Sequence, residues 1–157
     1  MGLENKETEV KTPVKRQTKK TREMLEEYAR QIEELEKQHE DYQKQMDDLK
    51  QQTVALGNMD AVGLKVIHKK FGEGEIITQD GKYIDVKFAD VVKKFVLPGA
   101  IADRYLKVED ENTLDYYIKR NDIHNKKIKV HMQLRSAEFA KDRIQDSIEK
   151  LNEKSSK

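Results

Sequence analysis

The chain has 157 residues, of which 36% are hydrophobic and 39% are charged, and this composition is too polar for one compact core of that length. Thirty-one Lys and Arg residues against thirty Asp and Glu residues leave a formal net charge of +1, so overall charge does not direct the chain to nucleic acid or to a membrane. The absence of cysteine excludes a disulfide scaffold and thiolate metal sites.

These limits favour a small core with long solvated helices attached to it. No apolar run approaches the roughly 20 residues that span a bilayer, and no signal-peptide core follows the polar start. We therefore expect a cytoplasmic protein with no membrane partner, in which a core of roughly 50 residues carries charged helices.

Residues 1–20 form a basic arm. From Val10 to Arg22 the chain has six basic residues and no acidic one, and Pro13 disfavours an early helix. The arm is therefore predicted to be disordered. It is either a solubilising tail or a phosphate-binding arm that acts by counterion release, for which the candidate residues are Lys15, Arg16, Lys19 and Lys20.

Residues 21–57 carry the clearest helical pattern. Apolar and aromatic side chains alternate at spacings of three and four for about five heptads. Thr21 is the expected N-cap and Gly57 the expected C-terminal stop. The segment is predicted to be one long coiled-coil helix. Its seam consists of Leu25, Tyr28, Ile32, Leu35, Tyr42, Met46 and Leu49, with His39, Thr53 and Leu56 at the same spacing.

A coiled-coil seam has to meet another helix. One candidate is the C-terminal helical segment of the same chain, which would give an antiparallel hairpin. The other is the same helix of a second copy, which would give a homodimer. Because Tyr28, His39 and Tyr42 interrupt the aliphatic positions, the seam suits a parallel two-stranded zipper poorly. We favour the hairpin and keep the homodimer as the alternative.

Residues 62–106 are the only segment with β-strand patterning. Asp80-Gly81 marks a tight hairpin, and Gly72 and Gly74 mark a sharp corner between the first two strands. Five short strands in about 45 residues indicate a small SH3-like barrel, inserted between two long helical segments in an α+β fold. The predicted strands are Leu64–His68, Glu75–Gln79, Lys82–Phe88, Lys93–Leu97 and Ala102–Val108.

The segment contains the run Val66-x-His68-x-x-Phe71-Gly72-x-Gly74-x-Ile76, then a hairpin, the strand Ile84-x-Val86-x-Phe88 and a Lys-x-Phe-x-Leu strand. This pattern resembles the Tudor-like domain that closes UvrD/PcrA-type helicases. The resemblance covers about 45 residues and implies an interaction platform that contacts RNA polymerase and nucleic acid. Phe71 stands where the helicases often carry tryptophan. The chain has no Gly-x-x-x-x-Gly-Lys-Ser/Thr phosphate loop, so the resemblance implies no helicase activity.

The corner between the first two strands is the candidate partner-binding site. It would present an apolar centre with a basic rim to a protein or nucleic-acid partner. In the alternative interpretation the glycines serve only the turn and Phe71 plugs one end of the barrel. The candidate residues are His68, Lys69, Lys70, Phe71 and Glu73.

Residues 111–153 are predicted to form C-terminal helices. Asn112 or Thr113 is the expected cap, and weak helix formers predict a break within residues 121–126. A second apolar stripe follows, and it would pack antiparallel on residues 21–57. The stripe contains Val130, Leu134, Ala137, Lys141, Ile144, Ile148 and Leu151, of which Ile144, Ile148 and Leu151 are assigned to helix pairing.

Basic residues concentrate near the start of this segment. Lys126, Lys127 and Lys129, next to Lys119 and Arg120, are either a solvated charged face or a contact for nucleic acid. They complete the alternative in which the protein binds nucleic acid with its basic arm and the stretch Lys119–Lys129.

The sequence predicts no catalytic residue, no metal site and no cofactor. The four histidines are scattered, and no nucleophile elbow or phosphate loop is present. The leading hypothesis is a non-enzymatic adaptor whose barrel binds a macromolecule, with RNA polymerase or the DNA-repair machinery as candidates. Nucleic-acid binding is the first alternative, and a structural or inhibitory coiled-coil protein is the second.

Overall fold

A computed structural model of the chain describes residues 18–156. The chain folds as helix, sheet, helix in sequence order, which confirms the α+β class. In that order the elements are α1 (Lys19–Leu56), β1 (Lys65–His68), β2 (Gly72–Asp80), β3 (Tyr83–Lys87), β4 (Val92–Val96), α2 (Gly99–Ala102), β5 (Leu106–Lys107) and α3 (Glu111–Ser156).

The chain divides into two compact units. One consists of Met1–Gln45 together with Val130–Lys157, and the other is Met46–Lys129. Within the described residues, the first unit is helical and the second contains the whole sheet. In the first unit the Nζ of Lys141 on α3 lies 3.0 Å from Oε2 of Glu36 on α1, so the two helices are in contact there. The antiparallel direction of this pairing and the rival homodimer stay predictions.

The sheet of the second unit is a curled, open half-barrel. Its strands are antiparallel in the order β4-β3-β2-β1-β5, with β4 and β5 as unpaired edges. The predicted barrel is therefore present as five strands, but it is not closed. The reason lies in β5, which has only two residues and pairs only with β1 through Ile67 and His68. So short a strand cannot also bridge to β4.

The alternation predicted for the strands places their side chains correctly. Ile84 and Val86 are fully buried, whereas Tyr83 before them and Lys87 after them are exposed. The predicted hairpin is also present, because Asp80 pairs with Tyr83 across a two-residue turn in which Gly81 has a φ of +61°. The core of this unit contains Val66, Ile76, Ile84, Val86, Phe88, Leu97, Ile101, Leu106 and Tyr117.

The predicted fifth strand, Ala102–Val108, is mostly wrong. Residues 99–102 form the short helix α2, and only Leu106–Lys107 are extended. Ala100, Ile101 and Ala102 are all buried. Three consecutive buried side chains suit a helical turn lodged in the core, because a strand would turn every second one outward.

Helix α1 begins two residues earlier than predicted, whereas α3 begins at residue 111 as predicted, and each helix has a different cap from the one expected. Thr18, not Thr21, caps α1, because its Oγ1 accepts the Thr21 N–H at 3.0 Å. Asp110 caps α3, because its carboxylate accepts the Asn112 N–H at 3.1 Å and the Thr113 hydroxyl at 2.9 Å. An N-cap side chain accepts a hydrogen bond from the amide two or three residues downstream. The predicted caps Thr21, Asn112 and Thr113 are the downstream residues that donate to the actual caps.

The predicted break within residues 121–126 is absent, since α3 runs without interruption through them. Ile123 in that stretch is buried, and packing of this kind overrides the weak helix propensity of Asn and Asp. The predicted end of α1 is confirmed. Gly57 has a φ of +80°, and its N–H bonds the carbonyls of Thr53 and Val54, as in a glycine C-cap.

The seam predicted on each helix is the less exposed side of that helix. Its aliphatic and aromatic positions are buried or half-buried, and Leu49 is the most buried residue of α1. The half-buried or buried positions are Leu25, Tyr28, Ile32, Leu35, His39, Tyr42, Met46, Leu49, Thr53 and Leu56 on α1, and Val130, Leu134, Ala137, Lys141, Ile144, Ile148 and Leu151 on α3. Each seam is therefore the side of its helix that other residues of the chain cover.

Candidate partner-binding site

Residues 68–74, termed here the glycine corner, comprise the last residue of β1, the turn at residues 69–71 and the first three residues of β2. Gly72 takes a φ of +81°, which suits glycine because a Cβ is strained in this region. The Nδ1 atom of His68 accepts the backbone N–H of Lys70 at 3.0 Å and that of Phe71 at 3.2 Å. The imidazole therefore holds the turn from inside, and this is a structural role for His68.

Four aromatic rings meet behind this turn. His68 stacks on Phe71 with 4.7 Å between ring centroids, and Phe88 lies 5.3 Å from Phe71. Phe95 from β4 completes the cluster at 5.6 Å from His68. Separations of this size are typical of favourable aromatic pairs. Phe88 is buried, whereas His68, Phe71 and Phe95 are half-buried, so the cluster reaches the protein surface.

Two lysines lie over the Phe71 ring. Lys70 Nζ is 5.6 Å and Lys93 Nζ 5.3 Å from its centroid, within cation–π range. Sequence reasoning named Lys70 and missed Lys93, which comes from β4. The available signal was spacing: Lys93 lies two residues before Phe95 and therefore on the same face of the strand.

The exposed members of the glycine corner form a polar rim. Lys69, Lys70, Gly72 and Glu73 are exposed, and among the described residues neither lysine has an acidic partner. Phe71 also packs against the core, so it has the structural role that the alternative interpretation gave it. The predicted partner-binding residues therefore come together on one turn, with an aromatic centre and a charged edge.

Acidic residues on the neighbouring strands are paired. Glu75 lies 2.7 Å from Lys65 Nζ, and this hydrogen bond lowers the pKa of the Glu75 carboxyl. Asp85 accepts from the Thr78 hydroxyl at 2.7 Å and faces Lys94 at 3.2 Å. The Thr78 bond, followed by the Lys94 contacts, lowers the pKa of Asp85.

Among the described residues, those proposed to bind nucleic acid are divided between the two units. Lys15 and Arg16 lie outside the described residues, and Lys19 and Lys20 are exposed at the start of α1. On α3, Lys126 pairs with Asp122 at 2.9 Å, as does Lys119 with Asp115 at 3.0 Å. Lys127 and Lys129 have no ion-pair partner in the described part of the chain.

Residues 18–156 contain no cluster of three or more His, Asp or Glu side chains that could hold a metal ion. Within the same residues, no helix is both long enough and apolar enough to cross a membrane. Comparison of the chain with protein-family models, curated proteins and solved structures finds no match. A functional assignment therefore depends on the geometry of the sites.

Proposed function

We propose that this protein is a non-enzymatic adaptor whose glycine corner binds a protein partner. The observation that carries the proposal is the half-buried Phe71 ring with the ammonium groups of Lys70 and Lys93 within 6 Å of its centroid. A partner that covers this ring would remove aromatic surface from water, and the energy of an interface is concentrated in a few such well-packed, desolvated side chains. The rim is basic, so the complementary partner presents an apolar side chain flanked by acidic groups.

The resemblance to the Tudor-like domain of UvrD/PcrA-type helicases supports the same proposal and suggests which partner to test first. In those helicases the domain contacts RNA polymerase. The open half-barrel, with its glycine turn and alternating strands, is compatible with an SH3-like or Tudor-like architecture. RNA polymerase is therefore the first candidate partner, and proteins of DNA repair are the second.

Capture of RNA polymerase by the tagged protein tests this proposal. Wild type should retain the partner, and Lys70→Glu combined with Lys93→Glu should weaken binding by about tenfold or more, because two favourable charges become repulsive. Phe71→Leu keeps an apolar plug while removing the aromatic face, and it should also weaken binding. Lys44→Glu with Lys50→Glu, an equal charge change at exposed positions of α1, is the matched control. Retention of the partner by the double variant contradicts the proposal.

Nucleic-acid binding is the second candidate, and it is favoured by the unpaired Lys127 and Lys129. A DNA or RNA titration at two salt concentrations tests it, because neutralising phosphates makes affinity fall steeply with salt. Lys127→Ala with Lys129→Ala should reduce that dependence if the candidate is right. For the structural coiled-coil alternative, Leu35→Asp should abolish function while changes at the glycine corner leave it intact.

A further inference from the structure

A second site lies in the unit of residues 46–129. It is a cavity of about 430 Å³ between the end of α1, the β2–β3 hairpin, residues 97–98 and the first turns of α3. This volume falls in the range of small-molecule pockets. None of the residues that line the cavity is Asp or Glu, although 30 of the 157 residues of the chain are acidic. The site therefore has a charge pattern that the chain as a whole lacks.

The cationic side of the cavity consists of Lys82, Arg120 and Lys127. The guanidinium of Arg120 is held by hydrogen bonds from Nη1 to the Gly57 carbonyl at 2.9 Å, to Tyr116 Oη at 3.1 Å and to Asn58 Oδ1 at 3.4 Å. All of these bonds use Nη1, so the group is oriented while Nε and Nη2 keep their donors. No ion pair neutralises Lys82 or Lys127 among the described residues.

The remaining wall is largely apolar. Leu56, Met59, Leu97 and Ile123 contribute to it, together with Tyr117. Tyr117 is only 3% exposed, and its hydroxyl makes no hydrogen bond with the described residues. Buried hydroxyls nearly always have a partner. The hydroxyl oxygen has essentially no accessible surface, so Tyr117 contributes its apolar ring to the wall of the cavity.

We propose that this cavity binds a small organic oxyanion, a carboxylate or phosphate head group on an apolar body. Arg120 would receive the head group, since a fixed guanidinium matches the geometry of such anions. Lys82 and Lys127 would add attraction, and the apolar wall would hold the body. The site shares no residue with the glycine corner, so its failure or success is independent of the adaptor proposal.

Fluorescence of anilinonaphthalene sulfonate, an anion on an aromatic body, tests the site in the full chain. The wild-type protein should bind the dye, and Lys82→Glu with Lys127→Glu should weaken binding by about tenfold or more, since hydrogen bonds and contacts to charged groups are lost. Lys129→Glu makes the same type of change on exposed α3 two residues away and should leave dye affinity unchanged. Circular dichroism melts show whether each variant is folded.

The neutral dye phenylnaphthylamine separates charge recognition from exposure of apolar surface. We expect it to bind more weakly than the sulfonate and to respond little to the lysine changes. Equal binding of the two dyes, or equal loss in Lys129→Glu, overturns the proposal. Amide NMR shifts should also centre on Leu56, Leu97 and Arg120, and shifts elsewhere contradict the site.

Displacement of the dye identifies the head group. Hexanoate and hexyl phosphate should both compete, and the stronger competitor shows which oxyanion the site prefers. Inorganic phosphate should compete weakly, because it has no apolar body. Hexanol should not compete, and displacement by hexanol as strong as that by the anions overturns the proposal.

Discussion

Gly74 lies directly beneath the ring of Phe88. A Cβ built on Gly74 would stand 2.7 Å from Cδ1 and 2.8 Å from Cε1 of that ring, and 2.9 Å from Cγ1 of Val86. Gly72, two residues earlier, has open space but a φ of +81°. The two glycines of the corner are therefore required for different reasons, one for close approach and the other for backbone conformation.

This difference predicts that asparagine will be tolerated better at Gly72 than at Gly74. Gly74→Ala and Gly74→Asn should both lower the free energy of unfolding by about 1–3 kcal/mol, because the added atoms overpack the core. Gly72→Asn should cost less than Gly72→Ala, since asparagine tolerates the left-handed region better. Urea unfolding measures all four variants. A Gly74→Ala protein as stable as wild type would show that Phe88 moves freely.

Arg120→Ala should destabilise the second unit by about 1–2 kcal/mol, because the Gly57 carbonyl at the C-terminal end of α1 loses a charged donor. Arg120→Lys should restore little, since an ammonium group cannot reproduce the planar fork. Lys119→Ala is the neighbouring control. It removes only the exposed pair with Asp115 and should cost less than about 0.5 kcal/mol. Thermal melts and amide exchange near Gly57 provide the measurement.

Tyr117→Phe should raise stability near neutral pH by about 1 kcal/mol, because it deletes a buried hydroxyl that has no hydrogen-bond partner. Burial raises the pKa of Tyr117 to about 12 from 10.0. The neutral phenol is therefore favoured in the folded state. The stability that this pKa shift contributes is complete below pH 10.0 and is lost as the pH rises towards 12. Wild type should lose more stability over that interval than Tyr117→Phe. Parallel alkaline profiles would contradict the assignment.

Asp85 should make the free energy of unfolding depend on pH in the acidic range. Hydrogen bonding to Thr78 and contact with Lys94 lower the pKa of its carboxyl below 3.8. A carboxyl group whose pKa is lower in the folded state than in the unfolded state stabilises the protein at any pH above its unfolded-state pKa. This stabilisation disappears as the pH falls through the folded-state pKa. The stability lost in Asp85→Asn at neutral pH should therefore shrink on acidification below 3.8. Asp90→Asn, at an exposed site without an ion pair among the described residues, is the control.

Leu49→Ala should cost about 2–4 kcal/mol, the range for removing a buried leucine side chain, because Leu49 is 6% exposed. Val54→Ala on the same helix should change stability by less than about 0.5 kcal/mol, since Val54 is 80% exposed.

Thermal melts of the wild-type protein at several protein concentrations distinguish the two forms of helix pairing, the hairpin and the homodimer. A midpoint that rises with concentration indicates a dimer, and a constant midpoint indicates a hairpin within one chain.

The periodic features of the sequence were sufficient to predict most local structure. Spacings of three and four located the protected side of α1 and α3, and alternation located the buried face of β3 through Ile84 and Val86. These patterns are reliable because backbone geometry repeats locally, at 3.6 residues per helical turn and two per strand. Gly57 and Gly81 were recognisable for a related reason, since positive φ strongly favours glycine.

Long-range placement could not be read from those patterns. The contact of Lys93 with Phe71 requires β4 to curl beside the glycine corner, and the bonds of Arg120 require the end of α1 to lie against α3. The caps Thr18 and Asp110 were missed because several adjacent residues could each serve as a cap. Residues 99–102 form a helix because the core accepts three consecutive side chains there.

By itself, then, the sequence determined the two long helices, the first four strands and the faces that these elements bury, because those depend on neighbouring residues. Only the tertiary structure decided that the sheet stays open and that four aromatic rings meet behind the glycine corner, with Lys70 and Lys93 over the Phe71 ring. It also decided that a cavity lined by no carboxylate forms beside Arg120. Each of these features joins residues far apart in the chain, and their distances depend on strand curl and helix packing rather than on local spacing.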